Sequence, residues 1–229
     1  MFLITGTGRS GTSAVAQLLH EAGLAAGNDL IEPDEHNEEG YFEERELIRI
    51  NDAILEAAGV GAWFTTATRQ QICDAASQHI DAMRELAGAA TPVWKDPRLS
   101  WTLEPWLDVL PERPKIIVCL RSPAEVVAST LTYYMLGGDE AERAVTHVWR
   151  AQSERLLEII DEYRLDAICV EYAVLQANPK RALGPLSRFV GATLDARAVR
   201  PDLQHHAAPI PADLTALYER LRRLGMATA

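Results

Sequence analysis

The chain has few cysteines, no surplus of positive charge and no apolar run long enough to cross a bilayer. Its three cysteines are Cys73, Cys119 and Cys169, and none forms a C-x-x-C pair. That excludes a zinc ribbon or a disulfide framework. Cys119 and Cys169 lie inside apolar runs that read as strands, so they are expected as buried thiols. Basic residues number 22 against 33 acidic ones, a formal net charge of -11. Such a balance speaks against a nucleic-acid groove or a polybasic membrane surface, and an anionic polymer would meet a repulsive field. A small anionic ligand needs only a local basic pocket. Internal repeats and low-complexity stretches are also missing. The first apolar run starts at Phe2, which leaves no room for a secretory leader. The expectation is a cytoplasmic protein without a transmembrane segment. Its oligomeric state is not readable.

What the chain does have is an apolar run, Phe2 to Thr5, that stops at Gly6 and crosses Gly8 and Gly11 into an amphipathic helix. Val15, Leu18, Leu19 and Ala22 fall on one face of that helix. A strand feeding a helix through glycines leaves backbone N–H groups at the positive end of the helix dipole, which suits a phosphate. A nucleotide-triphosphate loop, G-x-x-x-x-G-K-[ST], has lysine after its second glycine. Here Thr12 stands in that place, and the cation is Arg9, inside the loop.

Further strands are expected near 91–95, 115–120 and 166–171. The second follows directly on the first in the order strand, helix, acidic loop, helices, strand, strand, helix, helix, strand, helix, tail helix. Ser122-Pro123 and Asn178-Pro179 mark helix starts. Residues 139–163 read as a long charged helix with Val145, Val148, Leu156, Ile159 and Ile160 as its apolar stripe. With 48% apolar residues, the 229-residue chain reads as one α/β domain. A doubly wound, mostly parallel sheet of about four or five strands is flanked by helices, in a P-loop-like arrangement. A tail helix is expected over about 211–225.

Ligands of such sheets bind beyond the carboxyl ends of the strands. Four clusters stand there: Arg9-Ser10-Gly11-Thr12-Ser13; Trp94-Lys95-Asp96-Pro97-Arg98; Arg121-Ser122 with Ser129 on the next helix; and Glu171-Tyr172 with Asn178 to Lys180. Their cations and hydroxyls suit a ligand with more than one anionic group. Blander roles stay open beside this. Arg121 is spaced to pair with Glu125, Lys95 adjoins Asp96, and Trp63, Trp101 and Trp106 read as core or pocket wall. The pair His205-His206 reads as solvated, with no third metal ligand nearby.

On these residues the chain resembles the sulfotransferases that use 3′-phosphoadenosine 5′-phosphosulfate (PAPS), from residue 2 to about residue 191, and in particular a bacterial branch. Arg9 to Ser13 match the family's 5′-phosphosulfate loop. Arg121, with Ser129 eight residues on, matches its 3′-phosphate motif, and Tyr172, Pro179 and Phe189-Val190-Gly191 match a later element. The resemblance implies donor binding by Gly8, Arg9, Ser10, Gly11, Thr12, Ser13, Arg121 and Ser129, with Tyr172 at the adenine. It implies in-line transfer of a sulfuryl group to a hydroxyl or amine of a small-molecule, sugar or lipid acceptor, gathered by the region about 30–90, with no metal ion. Lys95 would stabilise the leaving oxygen together with Arg9. For the general base, Glu43 stands first, Asp96 second, and Glu39 or His36 behind; the base is expected away from Arg9 and Lys95, since cations hold a carboxyl pKa down. Two departures stand out. Ala14 and Val15 replace a stacking tryptophan after the donor loop, and Gln204 stands where bacterial relatives lead one to expect arginine. A P-loop nucleotide kinase and a non-catalytic nucleotide-binding module remain the alternatives.

Overall fold

A computed structural model describes residues 1–35, 37–61, 64–89, 91–199 and 208–225. His36, Trp63, Gln204, His205 and His206 lie outside the described residues. Four strands, β1 (Phe2–Thr5), β2 (Val93–Lys95), β3 (Lys115–Leu120) and β4 (Ala167–Glu171), form one sheet in the order β2-β1-β3-β4. Every pairing is parallel: Phe2 lies opposite Val93 and Lys115, and Ile116 opposite Ala167. The chain steps from β1 to one side and then, after β2, to the other. The order therefore reverses between β1 and β3, the place where doubly wound sheets bind ligands.

Alternation along each strand sends side chains into two cores. Leu3, Trp94, Ile116 and Val118 face one cluster, whose helices are α2 (Arg45–Ala57), α3 (Arg69–Ser77), α4 (Ile80–Gly88), α5 (Leu99–Leu107), α7 (Asp139–Tyr163) and α10 (Thr215–Arg222). Ile4, Val93, Ile117 and Val170 face the other, with α1 (Thr12–Glu21), α8 (Tyr172–Ala177) and α9 (Pro179–Val190). Helix α6 (Pro123–Tyr133) follows β3. No described helix is long and apolar enough to cross a membrane.

The four expected strands are present within two residues of their bounds, and α7 spans the expected 139–163. Two readings are corrected. Helix α5 stands between β2 and β3, where strand was expected to follow strand. Parallel strands need a crossover, and this nine-residue one carries a blunted signal: Leu99, Leu103 and Trp106 share a face at helical spacing, but Trp101 is buried opposite them and Pro105 lies within the helix. An interior proline counts against a helix. Ser122 stands at the start of α6 but does not cap it. Its hydroxyl instead donates to the Ala208 carbonyl, 3.2 Å away. Asn178 does cap α9, accepting from the Arg181 amide at 3.3 Å.

Gly6 holds the sheet's ligand edge together. Its φ is +141°, and a Cβ there would lie 2.3 Å from the Cys119 carbonyl oxygen of β3. Only glycine lets the end of β1 come this near its neighbour. Gly6→Ala is therefore expected to lose about 2–4 kcal/mol of stability in urea unfolding. Gly23→Ala, also at positive φ but facing open space, should lose only about 1 kcal/mol.

Candidate active site

The turn after β1 is built for an anion. Helix α1 has Gly11 at its N-cap position, no side-chain cap and no acidic residue in its first turn. Its leading N–H groups are thus left to a ligand. Gly11 has φ +85°, and a Cβ would sit 2.3 Å from the Tyr172 ring, so that ring lies against the helix start. Ser10 and Thr12 are buried, and the Thr7 and Ser10 hydroxyls meet at 2.7 Å. Gly8 is half-buried in the same turn, and Arg9 is held with φ +66°.

The end of β3 closes onto this turn. Arg121 donates from Nη1 to the Arg9 carbonyl at 3.1 Å, and its guanidinium carbon lies 4.9 Å from the centre of the Tyr172 ring. The pairing with Glu125 also forms, Nε to Oε2 at 2.9 Å. Arg9 in turn donates from Nε to Ser129 Oγ at 3.2 Å and lies 4.8 Å from the Tyr133 ring centre. The glycine turn, Arg121, Ser129 and Tyr172 thus share one wall.

A second group of charges lies beside the first, at the end of β2. Lys95 is buried; it donates to Ser13 Oγ at 3.2 Å and forms an ion pair with Glu43. The other oxygen of Glu43 lies 3.5 Å from Arg98 Nη1. Lys95 therefore pairs with Glu43 rather than with its neighbour Asp96. Glu43 comes from the acidic loop just before α2, inside a bend where Phe42 takes φ +57° and packs its ring on His20 at 5.5 Å. Burial pushes the Glu43 carboxyl above its ordinary 4.5, although Lys95 and Arg98 pull it down and Asp96 adds to the rise. Glu43 is thus in contact with the cation it was expected to avoid, and desolvation outweighs that cation.

Asp96 is fully buried and spoken for on both oxygens. Oδ2 accepts from Asn51 Nδ2 at 2.8 Å, and Oδ1 accepts from the Arg98 backbone at 2.9 Å and from its guanidinium at 3.0 Å. Asn51 accepts in turn from Trp106 Nε1 and Thr102 Oγ1. Glu39 is exposed. Asn37 reaches Ser13 Oγ at 3.4 Å and the Gly40 carbonyl at 2.7 Å, tying the acidic loop to the start of α1. Tyr41 donates to Asp34 at 2.8 Å, and burial followed by this bond pushes its phenol pKa up. Among the described residues no cluster of His, Cys, Asp and Glu is arranged to hold a metal ion.

A sequence profile described as "Sulfotransferase family" matches residues 2–196. The chain belongs to the sulfotransferase family. This makes it an enzyme of sulfuryl transfer. Its fold is similar to that of the sulfotransferase domain from the Synechococcus PCC 7002 olefin synthase, at 17% identity and a TM-score of 0.53, over 97% of this chain and 92% of that one. It is also similar to the sulfotransferase domain from the curacin biosynthetic pathway, at 17% identity and a TM-score of 0.52, over 95% and 82%. No curated protein sequence matches.

Sequence reasoning missed Asn51 and undervalued Arg98. Asn51 sits in the middle of α2 and carries no motif. Arg98 stood in a noted cluster, and its two-residue spacing from Asp96 was the available signal. The buried Lys95–Glu43 pair predicts its own test. Lys95→Met leaves the buried Glu43 carboxylate with the more distant Arg98 in place of its close partner and should cost up to about 3–5 kcal/mol in urea unfolding at neutral pH. Adding Glu43→Gln should restore most of that loss. The deficit of the single variant should shrink as pH falls, because protonation relieves the stranded charge.

Proposed function

We propose that this sulfotransferase uses PAPS as donor and transfers its sulfuryl group to a hydroxyl or amine of a small-molecule or carbohydrate acceptor. The observation that carries the reading is the shared wall, in which Arg121 reaches the Arg9 carbonyl and Arg9 reaches Ser129. Two anion sites joined in this way match a nucleotide with charged groups at both ends of its ribose. A lone nucleoside triphosphate has no use for the second site.

The roles follow from the chemistry of each group. The uncapped start of α1, with Gly8, Ser10, Gly11, Thr12 and Ser13, holds the 5′-phosphosulfate through N–H and hydroxyl donors. Arg121 and Ser129 hold the 3′-phosphate, Arg9 bridges the two sites, and Tyr172 packs against the adenine. Lys95, hydrogen-bonded to Ser13, donates to the oxygen that bridges phosphorus and sulfur. Fixed donors aimed at developing charge are usually the largest catalytic term. The acceptor oxygen or nitrogen attacks sulfur in line and forms the new S–O or S–N bond. The old S–O bond breaks, its electron pair stays on the phosphate oxygen, and adenosine 3′,5′-bisphosphate leaves.

Glu43 takes the acceptor proton. The raised pKa of its carboxyl makes it a better base than an exposed glutamate, and its contact with Lys95 couples proton removal to charge on the leaving group. Asp96, with both oxygens engaged, serves as a positioning residue for Arg98. No metal ion has a part in this reading. One unit over 1–229 carries it, with the region about 30–90 on the acceptor side.

Three outcomes are expected. Adenosine 3′,5′-bisphosphate should raise the melting temperature without magnesium, worth ~2.7 kcal/mol at a hundredfold excess over Kd. Stabilisation by ATP with magnesium and not by the bisphosphate would instead favour a nucleotide kinase. Arg9→Ala and Arg121→Ala should each weaken bisphosphate binding by roughly tenfold or more, the loss of a charged hydrogen bond. Glu43→Gln should leave that binding intact and lower kcat by about 10²–10⁴-fold. Since the base must be ionised and its pKa is raised, the acid limb of kcat should lie above pH 4.5 and vanish in Glu43→Gln. Bisphosphate binding unchanged in both arginine variants would refute the donor site.

A further inference from the structure

Beside Gly6 and Thr7 of the glycine turn lies a cavity of about 10 Å³. Gly6 and Thr7, Ser100 of α5, and Trp149, Gln152 and Ser153 of α7 are among the residues that line it. Gln152 is 1% exposed, and its Nε2 has no hydrogen-bond partner. A buried amide donor left unmatched is costly, so such groups are satisfied by protein or by bound water. A cavity of roughly 10–15 Å³ is the least that holds one water, and such a water needs two to four polar partners. Gln152, the backbone of Gly6 and Thr7 and the Ser153 hydroxyl supply that number, and Ser100 Oγ, whose proton goes to the Pro97 carbonyl at 2.7 Å, is left as an acceptor. The apolar walls on either side leave no room for a larger ligand.

We infer that this cavity binds one ordered water, held by Gln152 and bridging helix α7 to the backbone of Gly6 and Thr7. Gln152 is then a positioning residue for the donor turn. Thr7 is the residue whose hydroxyl meets Ser10, so fixing its backbone fixes the rest of the turn as well. The effect on the donor rests on the PAPS reading; the bound water itself does not.

The test uses the whole protein and the variant Gln152→Leu, which removes the donor at nearly constant volume. A high-resolution crystal structure of the unsubstituted protein should show a single water within hydrogen-bond distance of Gln152 and of the Gly6–Thr7 backbone. In Gln152→Leu, amide hydrogen exchange over residues 6–13 should quicken about tenfold in the ligand-free protein. The Kd for adenosine 3′,5′-bisphosphate should rise several-fold, and KM for PAPS should rise with kcat within about twofold. A dry cavity in the unsubstituted protein, or unchanged exchange in the variant, overturns the inference. If the water and the exchange effect are both seen and the unsubstituted protein fails to bind the bisphosphate, the bridge stands and the donor reading falls.

Discussion

The approach of Gly6 to the Cys119 carbonyl is the constraint on which the rest of the structure depends. It is a matter of sterics alone: no side chain fits between β1 and β3 at this level. Because the two strand ends converge, the turn that follows one and the arginine that follows the other become neighbours. Arg121 then reaches back to the Arg9 carbonyl, and Tyr172 from the end of β4 closes against Gly11. The candidate site's edge is thus a consequence of backbone geometry before any side chain acts. Parallel pairing supplies the direction, since it delivers the carboxyl ends of all four strands to one rim.

The second theme is local charge against global charge. The chain carries a formal net charge of -11, yet Arg9, Lys95, Arg98 and Arg121 gather at this rim. Each buried cation is matched: Lys95 by Glu43, Arg98 by Asp96 and Asp52, Arg121 by Glu125. Desolvating a charge without a partner would be costly, and these pairings lower the cost while fixing geometry. Asn51 extends the same logic one layer inward, joining Asp96 to Trp106 and Thr102. The charged rim is in this way anchored to the core by hydrogen bonds rather than by packing alone.

The sheet and the long helix were legible because their signals are local. Strands β1 and β3 are short apolar runs bounded by glycine or arginine, and α7 repeats its apolar residues at helical spacing. Helix α5 was hard to read for a physical reason: it is short, Trp101 is buried opposite the face of Leu99, Leu103 and Trp106, and Pro105 counts against a helix. In the site, residue identities were readable from motif order, whereas pairings were not. Nothing in the spacing of Glu43 and Lys95, fifty-two residues apart, tells that they touch, and adjacency wrongly suggested Lys95 with Asp96. The left-handed bend at Phe42 that turns Glu43 inward has no sequence signal either, since phenylalanine rarely adopts it.

The pairing of Arg121 with Glu125 reaches beyond stability. An anion arriving at this guanidinium meets a carboxylate in the same moment, so a singly charged visitor gains attraction and repulsion in nearly equal measure. On the donor reading proposed above, a doubly charged phosphate monoester that also meets Ser129 has more to gain at this guanidinium. In a protein so rich in acid, Glu125 is thus a built-in competitor that any arriving anion has to share Arg121 with.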